Sequence, residues 1–231
     1  RAQPPYSNGN GKQRKNRIKS THEKSMKIKE TRINKEKLRT IVTFSGECGE
    51  TLKKHIILKE KNKQIRWILV FEKRAPKTID IAVTLAAKGA SVTIGFAWHG
   101  TKKMESDITL TVFHEAPHTE SRVTFRAALE GASKVHFRGL ARVAKKAAGS
   151  RAHLSAQALM LSPAAIAFLK PDLEVATSEA VAGHGSSVGR PSDKEMFYFA
   201  SRGIADAHAK KMMRNAFMKD ITDQIQLIKS T

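Results

Sequence analysis

The sequence predicts a mainly β chain, wound as a stacked solenoid and finished by an α-helical region. Three observations carry that prediction. Apolar runs of strand length recur with period-two character and are broken by turn residues. A glycine or proline corner, a small residue and an apolar strand start return in weak form at Lys88 to Val92, Glu130 to Val135 and Ser162 to Ile166. After Pro191 the apolar spacing switches to three and four, the period of a helix.

Residues 1–36 combine Pro, Gly, Asn and basic side chains with almost nothing to bury, the composition of a flexible basic arm. Residues 37–190 read as the β body. Its strand-length runs are Thr40 to Phe44, His55 to Leu58, Ile65 to Phe71, Thr78 to Leu85, Ser91 to Trp98, Asp107 to Phe113, Ser121 to Leu129, Lys134 to Val143, His153 to Leu161 and Ala164 to Leu169. Small residues (Ala86, Ala87, Ala127, Ala128, Ala141, Ala144, Ala147, Ala148) read as strand positions where successive rungs stack closely. A stacked solenoid accounts for both the corners and the small residues, whereas a β-sandwich accounts only for the strands and ranks second.

Residues 191–231 form the helical region. Ser192 and Glu195 have capping-box spacing, and Gly203 marks a stop. From Ala205 the positions Ala209, Met212, Met213, Ala216, Phe217, Ile221, Ile225 and Ile228 describe one long amphipathic helix. Between body and helices lies Gly183-His184-Gly185-Ser186-Ser187, which reads as a tight turn. It lacks the lysine of a phosphate-binding loop.

Composition narrows function by exclusion. The 231 residues carry a formal charge of +21, about half of it in the first forty positions. That charge supports an alternative reading as a nucleic-acid-binding protein acting through the arm. The single cysteine, Cys48, excludes an intrachain disulfide and suits a reducing cytoplasm. No apolar run reaches the roughly twenty residues of a membrane span. Of the nine histidines, His114 and His118 stand four apart, but Pro117 argues against the helix that would make them converge on a metal. No nucleotide-binding loop, dinucleotide fingerprint or nucleophile elbow occurs, and no carboxylate pair is recognisable as acid and base. The residues by themselves specify no reaction.

The order of small motifs is more informative. His114-Glu-Ala-Pro117-His-Thr119-Glu-Ser121-Arg122, Phe137-Arg138-Gly139, Ala156 to Ser162, Lys170 to Val175, His184 to Gly189, Phe197 to Ile204 and Ala216-Phe217 follow one another in the chain. This series resembles the SufB/SufD family of iron-sulfur cluster assembly proteins, and the block from His184 to Ile204 is its most specific part. The resemblance implies a right-handed parallel β-helix with a C-terminal helical region. It further implies a non-catalytic scaffold subunit that binds a SufC-type ATPase and pairs with a SufB/SufD-type subunit as a homodimer or heterodimer.

On the same resemblance the iron-sulfur cluster is transient and shared with a partner subunit, and this chain binds no nucleotide. His184 is the cluster-ligand candidate. Phe197, Tyr198, Arg202, Met212, Met213 and Phe217 are the ATPase-docking candidates. The chain departs from the family at Ala182, where many members carry a cysteine, which favours a SufD-like supporting role.

Overall fold

A computed structural model describes residues 27–32, 37–44, 50–72 and 74–229, with side chains described for 50–72 and 74–224. Its strands are β1 (Lys27–Arg32), β2 (Lys37–Phe44), β3 (Thr51–Leu58), β4 (Gln64–Glu72), β5 (Thr78–Leu85), β6 (Ser91–Gly100), β7 (Glu105–His114), β8 (Glu120–Leu129), β9 (Lys134–Val143), β10 (Arg151–Met160), β11 (Ile166–Val175) and β12 (Val181–Gly189). Two helices follow, α1 (Asp193–Ser201) and α2 (Asp206–Lys229).

From β2 onward, successive strands alternate between two sheets. One runs β1-β2-β4-β6-β8-β10-β12 and the other β11-β9-β7-β5-β3. All pairings are parallel except β1 with β2, which is antiparallel and ends the first sheet. The chain therefore forms the expected mainly β solenoid, of about five turns, with a helical C-terminal region. Parallel neighbours that alternate between sheets rule out the antiparallel sandwich.

In-register stacking turns the period-two pattern into columns. On the first sheet the inward columns read Trp67, Ile94, Val123, Leu154, His184 and Leu69, Phe96, Phe125, Ala156, Ser186. Phe71, Phe96, Phe125 and Phe137 follow one another through the core with ring centroids 5.0, 5.3 and 4.2 Å apart. The largest side chains thus fill the middle coils, where a rung lies above and below each of them.

Strand β4 is buried on both faces from Trp67 to Phe71 because α2 covers the outer face of the first sheet. There Met218 and Ile221 pack with Ile68, Val70, Ala97, Ala128 and Leu161. Gly95 permits this contact, since a Cβ there would stand 3.2 Å from Cγ2 of Ile221. Burying each of these two helix side chains contributes roughly 1.5–3 kcal/mol. The exposed ion pair of Arg126 with Asp220, at 2.9 Å, is worth about 0–1 kcal/mol. Apolar contact therefore holds α2, and the ion pair orients it.

Several sequence expectations are corrected. The stretch read as a tight turn at Gly183 to Ser187 is strand β12, whose backbone pairs with β10 from Arg151↔Val181 to Leu159↔Gly189. A continuous ladder to β10 outweighs the weak strand preference of its glycines. Ala86, Ala87, Ala144, Ala147 and Ala148 lie in corners, not strands. Strand β11 continues past Leu169 through Pro171, which an edge strand tolerates. Strand β1 falls within the span assigned to a basic arm. Residues 1–26 of that arm, and Cys48, lie outside the described residues. Ser192 caps α1 as expected, its backbone N–H donating to Glu195 Oε2 at 2.7 Å while its hydroxyl accepts from the Glu195 N–H at 3.3 Å. Gly203 ends the segment with φ +71°.

Corners are set by left-handed residues. Asn62, Gly89, His118 and Gly149 have φ of 57°, 72°, 56° and 69° in successive coils, and across the solenoid Lys102 and Gly131 have 57° and 67°. At Gly131 a Cβ would lie 2.8 Å from the Lys102 carbonyl oxygen and 3.0 Å from its nitrogen, both fixed backbone atoms. Gly131→Ala is expected to lower the free energy of unfolding by about 1–3 kcal/mol. Gly185→Ala, where nothing lies within 4 Å, is expected to change it by less than about 1 kcal/mol. Urea denaturation of the two variants side by side checks this, and equal effects would contradict it.

Candidate functional site

The solenoid has an uncovered end. Strands β11 and β12 are the last of their sheets, and among the described residues no further rung lies over them. Register places His184 on the inward column above Leu154, yet its side chain is exposed because the column ends there. Ala182 ends the neighbouring column above Ala152. Around this end Phe168, Val175, Val181 and Val188 are exposed. The imidazole of His184 is thus held on a ladder-bonded backbone and presented at an apolar rim. A lone neutral imidazole can donate one lone pair to a metal.

Among the described residues no group of three or more His, Cys, Asp or Glu side chains is arranged to hold a metal ion. His184, the cluster-ligand candidate, thus has no second ligand beside it among the described residues, and its side chain is exposed. His153, which pairs with Gly183, lies on the outward face of β10 and does not join His184.

The six docking candidates divide. Phe197 and Tyr198 stand out from α1 at 74% and 58% exposure, with the Arg202 guanidinium 5.4 Å from the Tyr198 ring centroid. Helix α1 buries none of its residues. Met212 is exposed on α2 and Met213 half-buried. Phe217 faces the opposite way, packed on the sheet with the Arg126 guanidinium 5.1 Å from its ring centroid. Helical spacing identified the apolar stripe but not its split between the sheet and solvent.

His114 and His118 do not converge. His118 occupies a left-handed corner. His114 replaces an aliphatic residue in the inward column Leu58, Leu85, His114, Val143 and is fully buried. Its Nδ1 lies 2.8 Å from Thr119 Oγ1 and its Nε2 2.8 Å from Ser121 Oγ. Thr119 Oγ1 also donates to the Ala116 carbonyl at 3.1 Å and lies 2.8 Å from Ser150 Oγ. Every donor is satisfied if Nδ1–H donates to Thr119 and Nε2 accepts from Ser121. Burial drives the imidazole pKa down to about 4, so the ring is neutral. This network ties the two sheets across a corner and is architectural.

One polar cluster was not singled out from the sequence. At the foot of α2, His99 Nε2 lies 3.0 Å from Glu130 Oε1, and Arg214 Nη1 lies 3.0 Å from that oxygen and 3.2 Å from the ring nitrogen. Its members are separated by 31, 84 and 115 positions, and no local pattern connects them.

Comparison with known proteins follows this geometry. A sequence-family model described as SUF system FeS cluster assembly, SufBD core domain, matches residues 17–217. An iron-sulfur cluster assembly SufBD family protein of Staphylococcus aureus (strain USA300) is 28% identical over 141 residues, covering 61% of this chain and 30% of that protein. A protein of the same description from Mycobacterium leprae (strain TN) is 27% identical over 141 residues, 61% of this chain and 16% of its own length. The match thus spans less than a third of either relative.

The buried imidazole has a consequence for acid stability. Its folded pKa lies below the unfolded value of 6.5, so the unfolded chain takes up the proton first. The contribution of the neutral ring is complete above pH 6.5 and is lost as pH falls toward 4, amounting to about 3 kcal/mol. Urea midpoints measured across this interval are expected to fall more steeply for the native chain than for His114→Gln. Parallel curves would remove His114 as the cause.

Proposed function

The chain belongs to the SufBD family of SUF-system iron-sulfur cluster assembly proteins, and on that footing we propose that it is a non-catalytic scaffold subunit with the cluster as cargo. His184 at the open end of the solenoid is the observation that carries the reading: an accessible imidazole on a rigid edge strand, one ligand of a set that a facing subunit completes. The partner at this end is a SufB/SufD-type subunit, as a second copy or a paralogue. The exposed Val181 and Val188 beside the histidine are of the kind a subunit interface buries. Ala182 supplies no thiol, so any sulfur ligand comes from outside this position and the role is SufD-like.

A SufC-type ATPase docks on the outward surface of the helical region, through Phe197, Tyr198, Arg202 and Met212, with Met213 at its edge. The exposed aromatic pair on α1 supports this reading, because large apolar and cationic side chains dominate protein contacts. Phe217, turned onto the sheet, sets the pose of α2 instead. ATP hydrolysis then belongs to the partner, and the complex works in the cytoplasm.

Anaerobic reconstitution with iron and sulfide, in the presence of the partner subunit, tests the ligand. His184→Ala is expected to lose the cluster absorbance while its urea midpoint stays within about 0.5 kcal/mol of the native chain, as exposed sites do. An undiminished cluster would end the assignment. Calorimetric titration with a SufC-type ATPase tests the docking face. Phe197→Ser and Tyr198→Ser are each expected to weaken binding by about 1–3 kcal/mol, and Phe113→Ser, on the other sheet, by nothing measurable. Equal losses in all three variants would remove this face as the dock.

A further inference from the structure

Helix α2 is held by the apolar patch at Met218 and Ile221, but its preceding turn is held differently. Arg214 is half-buried, and its Nε and Nη2 donate to Asn215 Oδ1 at 3.4 and 3.3 Å. Its Nη1 carries two hydrogens and faces two acceptors, Glu130 Oε1 at 3.0 Å and His99 Nε2 at 3.2 Å. Those two acceptors lie only 3.0 Å apart. With Nε2 bare, one Arg214 nitrogen bridges both. With a proton on Nε2, the ring itself donates to Glu130 and confronts Arg214 with another N–H.

We infer that His99, Glu130 and Arg214 form a proton-operated latch that sets how firmly the turn of α2 around Arg214 is held to the solenoid. The charged groups facing the ring come from three elements. Glu130 follows β8, Glu72 is the register partner of His99 on β4, and Arg214 comes from α2. Closed, the latch has a neutral ring and Arg214 joined to both acceptors. Taking a proton from solvent makes His99 a cation that replaces Arg214 at Glu130 and repels it. A cavity of about 240 Å³, lined in part by Glu72, His99, Arg214, Asn215 and Thr222, gives the guanidinium room to withdraw.

Burial first, and then the charge of Arg214, hold the His99 pKa below its ordinary value against the opposing pull of Glu130 and Glu72. Withdrawal of Arg214 removes its charge and part of the burial, the two causes that lower the proton affinity of the ring. Acidification below about pH 6.5 therefore favours release, and raising the pH closes the latch. The inference concerns how α2 is seated and stands whether or not an ATPase docks on it.

Hydrogen exchange of the full chain, followed by mass spectrometry and corrected for intrinsic rates, reads the latch in peptides covering residues 210–217. Methyl-labelled Met218 gives a second readout by NMR. Between pH 7.5 and 5 the opening constant of that segment is expected to rise, and the Met218 methyl to titrate with a midpoint below pH 6.5. His99→Gln, whose amide oxygen still accepts from Arg214, is expected to hold both readouts flat. Glu130→Gln is expected to open the segment already at pH 7.5. The proposal is overturned if exchange in the native chain is flat, or if His99→Gln titrates like the native chain. A rise shared equally by peptides from β7 to β9 would also overturn it, because that is global unfolding and not a local release.

Discussion

A parallel coil can stack on the one before it only if the chain turns each corner with the same backbone shape, and the rest of the molecule depends on that. In one corner column the N–H groups of Asn62, Gly89, His118 and Gly149 donate to the carbonyls of Lys88, Pro117, Ala148 and Glu179 in the next coil, at 2.9–3.2 Å. Each of the four residues is left-handed. Side chains and glycines alternate down the column for a steric reason. A Cβ on Gly89 would lie 2.1 Å from Asn62 Oδ1, and one on Gly149 would lie 2.4 Å from His118 Nδ1. The corner thus accepts a side chain in one coil only because the next coil has none. With the corners matched, strands fall into register and the columns of the core follow.

This account explains what could be read from the sequence. Strands buried on one face announce themselves by alternation, as Thr78–Leu85 does with Ile79, Ile81, Val83 and Leu85 all inward. The cap at Ser192 was legible because its two hydrogen bonds span three residues. The corner glycines Gly89 and Gly131 were visible, whereas Gly149 and the pairing of Gly89 with Asn62 and of Gly149 with His118 required the coil period. Strand β12 was not legible, because Gly-His-Gly-Ser-Ser carries neither alternation nor bulk. What makes it a strand is the ladder on β10, which lies outside its own sequence. The cluster at His99 was invisible for a related reason. Sequence patterns report contacts within an element, and these side chains meet only because coils stack and a helix crosses them.

Stacking also makes the two ends of the first sheet unlike. At the N-terminal end the antiparallel strand β1 pairs with β2. Toward the C-terminal end the columns thin, from Leu69, Phe96 and Phe125 to Ala156 and Ser186, and from Phe71 and Trp98 to Ala127, Ala158 and Val188. Among the described residues nothing lies above the last rung for a large apolar side chain to pack against, so that rung contributes little to the core of the chain. A histidine can therefore end a column whose inner members Trp67, Ile94, Val123 and Leu154 are apolar without leaving a buried polar group.

The same geometry separates rigidity from exposure, two properties that a functional side chain usually trades against each other. A loop residue is accessible because its backbone is poorly tied, whereas a core residue is well placed because it is covered. His184, the proposed ligand, combines the two. Its backbone is fixed by the ladder that orders every buried residue below it, and its side chain is open only because the column stops. Phe197 and Tyr198 meet the same requirement by another route, on a capped helix that buries none of its own residues. Helix α2 supplies the complement, with Met218 and Ile221 covering an outer face of the sheet that would otherwise be an apolar patch. The molecule in this sense exposes side chains on ordered backbone in two places, one at the end of its columns and one on its first helix.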